Sequence, residues 1–360
     1  MSGGGHTALV PGQRPDGQPI LAVLLKRTFE IVPDGDCRRA GEDAPLFGGD
    51  VHWGDTLNST VRHECDLVPF RLATDVYVDG AVYAPGGRAV RRCEAMLRVG
   101  GHERLLSVSG ERSVALAGTR PVFSEPEPFE RMPLRYERAY GGIDVRSQPG
   151  ASWPYPPNPL GRGFVIGADA AALDGLALPN LEDPARPLSP DNLAVGRHDA
   201  WERQPEPANF GCYPRTAWYR ARFAGVMPAD RAFERATRAH YAKLVPPEAR
   251  DAYVDNGFAD MDFRFFSAAS AGLAIPYLEP GEPIVTRSLV PEGELAFALP
   301  ADRPRLRIDI GEGGVEPTVV VHTVLLRLDE RRVDVTWRAA VDYPGPEWLP
   351  SMERLEIELR

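Results

Sequence analysis

Five residues of this 360-residue chain carry the side chains a zinc site needs: His52, His63, Cys65, Cys93 and His102. Imidazole and thiolate suit that metal. Their spacing matches no zinc motif, however, and Cys65 and Cys93 serve equally well as small core residues. Asp260 and Asp262 stand in Gly257-Phe258-Ala259-Asp260-Met261-Asp262-Phe263 and are the paired carboxylates that a glycosidase on a β scaffold could use. Among 51 acidic residues such pairs arise by chance. Asp262 could instead cap the turn before Phe263, Phe265 and Phe266. No Gly-x-Ser-x-Gly elbow is present, and Ser109-Gly110-Glu111 ends a strand pattern. Gly141-Gly142 and Gly161-Arg162-Gly163 lack the strand-loop-helix context and the Lys-Ser/Thr of a phosphate loop. The expectation is a protein without enzymatic activity, metal or cofactor. A carbohydrate-active enzyme or glycan-binding β-sandwich protein is the alternative.

The densest concentration of unusual residues lies at 137–183. It is too rich in Pro and Gly for a helix interior, and too aromatic for a flexible linker. An ordered loop network is expected, pinned by Tyr140, Tyr155 and Phe164. Its polar members are Glu137, Arg138, Asn158, Arg162 and Glu182, and Gly141, Gly142 and Gly161 allow close backbone approach. Arg162 is read as a forked donor to loop carbonyls, to Glu137 or to Glu182. Pro-Gly loops leave backbone groups that buried side chains must satisfy.

A partner surface is the other candidate site. Residues 201–223 mix Phe210, Tyr213, Trp218 and Tyr219 with Arg203, Arg215, Arg220 and Arg222, the residue types enriched at interface cores. Trp218, Tyr219 and Arg222 are the candidate anchors, and Arg235, Arg238 and Lys243 form a basic rim on a helix. An aromatic core layer with solvated arginines is the competing reading.

The elements that must position these groups read as mainly β. Gly 35 and Pro 36 are each about a tenth of the chain, against ordinary usage of roughly 7% and 5%. The pattern predicts two antiparallel β-sandwich-like units with a central loop-rich region and one helical insertion. The expected segments are a disordered N-terminus at 1–18, a first β unit at 19–117, loops at 118–225, the helical insertion at 226–258 and a second β unit at 259–360. Gly100-Gly101 marks a hairpin, and Glu330-Arg331-Arg332 a turn between the last two strands. Phe233, Ala236, His240, Tyr241 and Leu244 recur at helical spacing.

The net charge of −10 argues against nucleic acid and anionic membrane as partners. Met1 to Pro19 shows no apolar run of the secretory kind, and Ile20 to Leu25 is far short of the ~20 residues of a membrane span. A cytoplasmic protein with free thiols is expected.

Several motifs, taken in order, carry a resemblance: Leu25-Lys26-Arg27-Thr28-Phe29, Thr74-Asp75-Val76-Tyr77-Val78-Asp79-Gly80-Ala81, Ser109-Gly110-Glu111-Arg112, Glu137-Arg138-Ala139-Tyr140-Gly141-Gly142, Asn158-Pro159-Leu160-Gly161-Arg162-Gly163-Phe164, Leu178-Pro179-Asn180-Leu181-Glu182 and Asn209-Phe210-Gly211. Together they resemble the bacterial domain-of-unknown-function 2169 family. That resemblance implies a cytoplasmic adaptor or chaperone of type VI secretion, whose partner is a secreted effector or spike-tip protein.

Overall fold

Alternation along one strand organises the molecule. In Pro19–Glu30, Val23, Leu25 and Phe29 point to one face, and Leu24, Lys26 and Thr28 to the other. Neighbouring strands repeat the alternation in register. Arg27 lies opposite Val335, Val335 opposite Val324, and Val324 opposite Val76. One residue along, Lys26, Thr336, Thr323 and Asp75 form the next row. One face of the sheet is therefore mainly apolar, and the other mixes polar groups with apolar ones such as Leu24, Tyr77 and Leu325.

The computed structural model describes residues 6–14, 17–197, 204–213, 266–301, 303–309, 314–342 and 356–359. The protein is mainly β. The first sheet runs His6–Gln13, Pro19–Glu30, Arg332–Asp342, Val320–Arg327, Thr74–Asp79, Ala274–Ile275, with Arg38–Arg39 also paired to Pro19–Glu30. The second runs Leu181–Glu182, His102–Ser109, Arg92–Val99, Pro283–Arg287, Glu294–Ala298. Their apolar faces share one core, with Val23, Val76, Val324 and Trp337 from the first and Leu97, Leu106, Ile284 and Phe297 from the second. The Arg92–Val99 and His102–Ser109 hairpin turns at Gly100-Gly101, with Val99 opposite His102. Arg331 takes a positive φ of 55° between the last two long strands.

Several expectations are corrected. The two β regions do not form separate units, because each sheet takes strands from both: Pro19–Glu30 pairs with Arg332–Asp342, and Arg92–Val99 with Pro283–Arg287. Burying each strand's apolar face against a second sheet favours that exchange over two smaller cores. Val320–Arg327 and Thr74–Asp79 run parallel, not antiparallel. A short turn cannot join parallel neighbours, and here most of the chain lies between them. Residues 6–13, expected to be disordered, form a strand paired to Pro19–Glu30 from His6↔Lys26 to Gln13↔Pro19. The helical insertion expected at 226–258 lies outside the described residues. Among those described, the α-helix is Ala170–Leu173, started by Asp169, whose side chain accepts the Ala172 N–H at 2.9 Å. No helix among the described residues is long and apolar enough to cross a membrane.

The loop-rich region has its own apolar cluster, built on Tyr140, Tyr155, Phe164, Leu173, Leu178 and Leu188. Tyr155 packs edge-on against Tyr140 at 5.0 Å and at a tilt of 36° against Phe164 at 5.1 Å between ring centroids.

Candidate functional site

Backbone approach comes first in the loop network. Tyr140–Gly141 pairs in parallel with Arg162–Gly163. At Gly141, φ is 146° and an added Cβ would lie 2.1 Å from the Asn158 carbonyl oxygen. At Gly161 it would lie 2.7 Å from the Ala139 carbonyl oxygen. Only glycine allows this crossing. Gly142 donates its N–H to the Asn158 carbonyl at 2.8 Å. The buried Asn158 amide donates to the carbonyls of Tyr136 at 2.8 Å and Tyr140 at 3.0 Å.

Charged side chains lock the crossing from outside. Glu111 is the hub. Its carboxylate accepts from Arg138 and, at 2.7 Å, from Arg162. Arg162 Nε also donates to the Glu137 carbonyl at 3.1 Å, and Arg138 reaches Asn180 Oδ1 at 3.2 Å. Burial holds both guanidinium groups below their ordinary pKa; Arg162 adds to the effect on Arg138, and Glu137 opposes it at Arg162. The Glu137 carboxylate turns away and takes the N–H of Thr60 at 2.8 Å and its hydroxyl at 2.7 Å. Glu182 pairs with Arg112, not Arg162, and accepts the Leu188 N–H at 3.0 Å. Burial pushes its carboxyl up, against the pull of Arg112. The structure thus joins Glu137, Arg138, Asn158 and Arg162, places Glu182 next door, and adds Glu111, Asn180 and Thr60. Glu111 was legible only as part of the Ser109-Gly110-Glu111-Arg112 motif.

Beyond Gly142 the loops carry apolar side chains into solvent. Ile143 is 49% exposed and Val145 61%. Ile143 lies opposite exposed Pro154 in a short antiparallel pair. Buried Asp144 anchors this stretch by accepting the N–H groups of Arg146 at 2.8 Å, Ser147 at 3.1 Å and Ile166 at 2.9 Å. Burial alone would raise its pKa; these bonds outweigh it and hold the carboxyl below its ordinary value.

The family model described as "Uncharacterized protein conserved in bacteria (DUF2169)" matches residues 16–338. The chain belongs to the DUF2169 family. Comparison with curated proteins and with solved structures gave no match.

The remaining motif residues of this DUF2169 chain meet on the polar face of the first sheet, which the segment around residues 43–71 covers. Lys26 bonds Asp66 at 2.8 Å, both fully buried, and its ammonium sits 3.9 Å from the Phe47 ring centroid. Arg71 pairs with Glu64 at 2.7 Å and with Asp75. Asp79 takes Arg62 at 2.8 Å and His63 at 3.2 Å. Burial alone would raise the Asp79 pKa, but the bonds from His63 and Arg62 hold it below its usual value. His322 lies fully buried at a bulge between Val321 and Thr323. Burial, then the charges of Arg71 and Arg338, keep it neutral.

The metal candidates of this DUF2169 chain scatter across the fold. His63 is in the Asp79 cluster and stacks on Phe47. The His52 Nδ1 lies 2.9 Å from the Ser59 carbonyl, and His102 opens the second hairpin strand. Among the described residues no group of three or more His, Cys, Asp or Glu is placed to hold a metal ion. Among the described residues none of the four cysteines is in a disulfide. Burial pushes the Cys37 thiol up to about 12 and the Cys93 thiol up to about 11, so neither is a thiolate at neutral pH. Trp218, Tyr219, Arg222, Arg235, Arg238, Asp260 and Asp262 lie outside the described residues.

Proposed function

We propose that this DUF2169 protein is a cytoplasmic adaptor or chaperone that binds a type VI secretion effector or spike-tip domain and assists its loading, without changing it covalently. The observation that carries the reading is the loop platform. Ile143, Val145 and Pro154 present apolar surface on backbone held by the Asp144 clamp and the Glu111–Arg138–Arg162 network. Apolar side chains cost free energy in water unless a partner covers them, and a preorganised loop loses little entropy when it docks. The buried charged groups fit the same reading: Lys26, Arg71 and Asp79 are each engaged by an opposite charge. The secretion role comes from the family resemblance; the platform supplies a place for the contact.

The test is co-purification with the toxin encoded beside this protein, together with secretion of that toxin from a deletion strain. A stable interface buries at least ~1,000 Å², so Ile143→Asp with Val145→Asp should remove the complex while the melting temperature stays close to that of the parent. Unchanged secretion in the deletion strain, with turnover of a glycan by the pure protein, sinks this reading in favour of the carbohydrate-active alternative.

A further inference from the structure

The hairpin that opens the first sheet has one bonded side and one open side. Arg14 donates its N–H to the Gln18 carbonyl, and Gly17, at a φ of 84°, donates to the Arg14 carbonyl. In an antiparallel ladder, bonded pairs alternate with unbonded ones. Counted back from Arg14, Gly12, Val10, Ala8 and His6 bond toward Pro19–Glu30, while Gln13, Pro11, Leu9 and Thr7 turn their backbone groups away from it. Pro11 agrees with that count, since proline in a sheet lies with its missing donor on the open side. Among the described residues no strand pairs with that side. The far edge of the second sheet is different: there the Ala296 and Ala298 carbonyls take the N–H groups of Asp34 and Cys37. The end strands Leu181–Glu182 and Ala274–Ile275 are two residues long. The open edge also lacks the charges that commonly guard such edges, because His6–Gln13 holds no Asp, Glu, Lys or Arg.

We propose that this edge takes up an extended strand of the protein partner. The outward N–H groups of Thr7 and Leu9, and the carbonyls of Thr7, Leu9 and Pro11, recur every second residue, about 6.8 Å apart. Another extended backbone matches that spacing. Leu9 is partly buried against the main core, so an apolar residue beside it in the added strand extends that core. On the other face Gly12 lies against Pro69. A second copy of this chain fits less well. Eight residues a side fall short of the roughly 20–30 of a stable interface, and each copy brings a net charge of −10. A partner already docked on the loop platform needs only a strand here. The inference deepens the adaptor reading and rests on it for the identity of the partner, not for the chemistry of the edge.

The experiment is amide exchange of the full chain, read residue by residue, alone and with the co-purified effector. Thr7 and Leu9 should exchange fast in the free protein and slow by about tenfold or more in the complex, while Ala8 and Val10, already bonded, change little. Thr7→Pro removes one outward N–H and spares the ladder. It should weaken the complex by about tenfold with an unchanged melting temperature. Ala8→Pro breaks the ladder and should lower the melting temperature. A complex in which Thr7 and Leu9 exchange as before, or which Thr7→Pro leaves unchanged, overturns the inference and leaves the adaptor reading standing. A free protein that is dimeric by light scattering, with both amides already protected, overturns it in favour of the second copy. If no complex forms, the adaptor reading falls, and a capped Thr/Val peptide at millimolar concentration decides the edge: protection of Thr7 and Leu9 upholds the inference, and its absence overturns it.

Discussion

Two polar clusters in this protein use the same residue types to opposite ends. On the outer face of the first sheet, Lys26–Asp66 and Arg71–Glu64 are sealed from water. At the loop crossing, Glu111 is 45% exposed while it holds Arg138 and Arg162. A sealed pair gains little net stability, because removing both charges from water costs nearly what their attraction returns. Losing one partner is severe, since the other charge then stays buried alone. The open cluster is cheaper to form and cheaper to lose. The sealed layer therefore fixes how the 43–71 segment lies on the sheet, and the open one shapes a surface that other molecules can reach.

The largest effect should come from the sealed layer. Lys26→Met leaves Asp66 buried without its counter-charge and should cost about 3–5 kcal/mol. Urea unfolding measures it, and a loss under ~1 kcal/mol would remove the distinction between the clusters. Next comes the backbone under the open cluster. Asn158→Ala removes the amide donor from the Tyr140 carbonyl and one of the two donors on the Tyr136 carbonyl, which keeps the Ala139 N–H, and should cost about 1–3 kcal/mol. Gly141→Ala places a methyl against the Asn158 carbonyl and should lower the melting temperature as well.

Two buried carboxylates, Asp79 on the sheet and Glu182 beside the loop crossing, should also respond to pH with opposite signs. Asp79 has a folded pKa below its ordinary value. Its stabilisation is present above the unfolded carboxyl value, near 3.9, and is lost as pH falls through the lower folded one. Glu182 has a folded pKa above its ordinary value. The folded state holds the extra proton there, so stability falls as pH rises from about 4.3 toward the raised value. Across the acid range, the stability difference between parent and Asp79→Asn should grow with pH. That between parent and Glu182→Gln should shrink. Parallel slopes would contradict the assignment. The smallest effect is expected at Arg162→Ala, about 1 kcal/mol, because its bond to Glu111 is open to solvent.

The two clusters were unequally legible in the sequence. Asn158, Arg138 and Arg162 stand inside a run whose Pro and Gly demand side-chain donors, so local chemistry pointed to them. Glu111 closes the same network from another element, and no local pattern shows that it would reach the loops. The sealed layer was harder. Alternation assigns Lys26 and Thr28 to the face opposite Val23 and Leu25, which on a two-layer sandwich means solvent. The residues that meet them, Asp43, Ala44, Phe47 and Asp66, come from a segment with no periodicity. Pairing Lys26 with Thr336 spans nearly the whole chain, and a local pattern specifies a strand's faces but not its distant neighbour. For that reason the mainly-β character was readable and the merging of two units into shared sheets was not. The His6–Gln13 strand was hidden by its Gly- and Pro-containing composition.

The central claim is that the open loop platform meets a partner while the sealed layer only supports the fold. Amide hydrogen exchange of the full chain, alone and with the co-purified effector, tests it most directly. The account predicts new protection across residues 140–166, with unchanged exchange in Pro19–Glu30 and Thr74–Asp79. Protection that bypasses the 140–166 loops, or no complex at all, would contradict it.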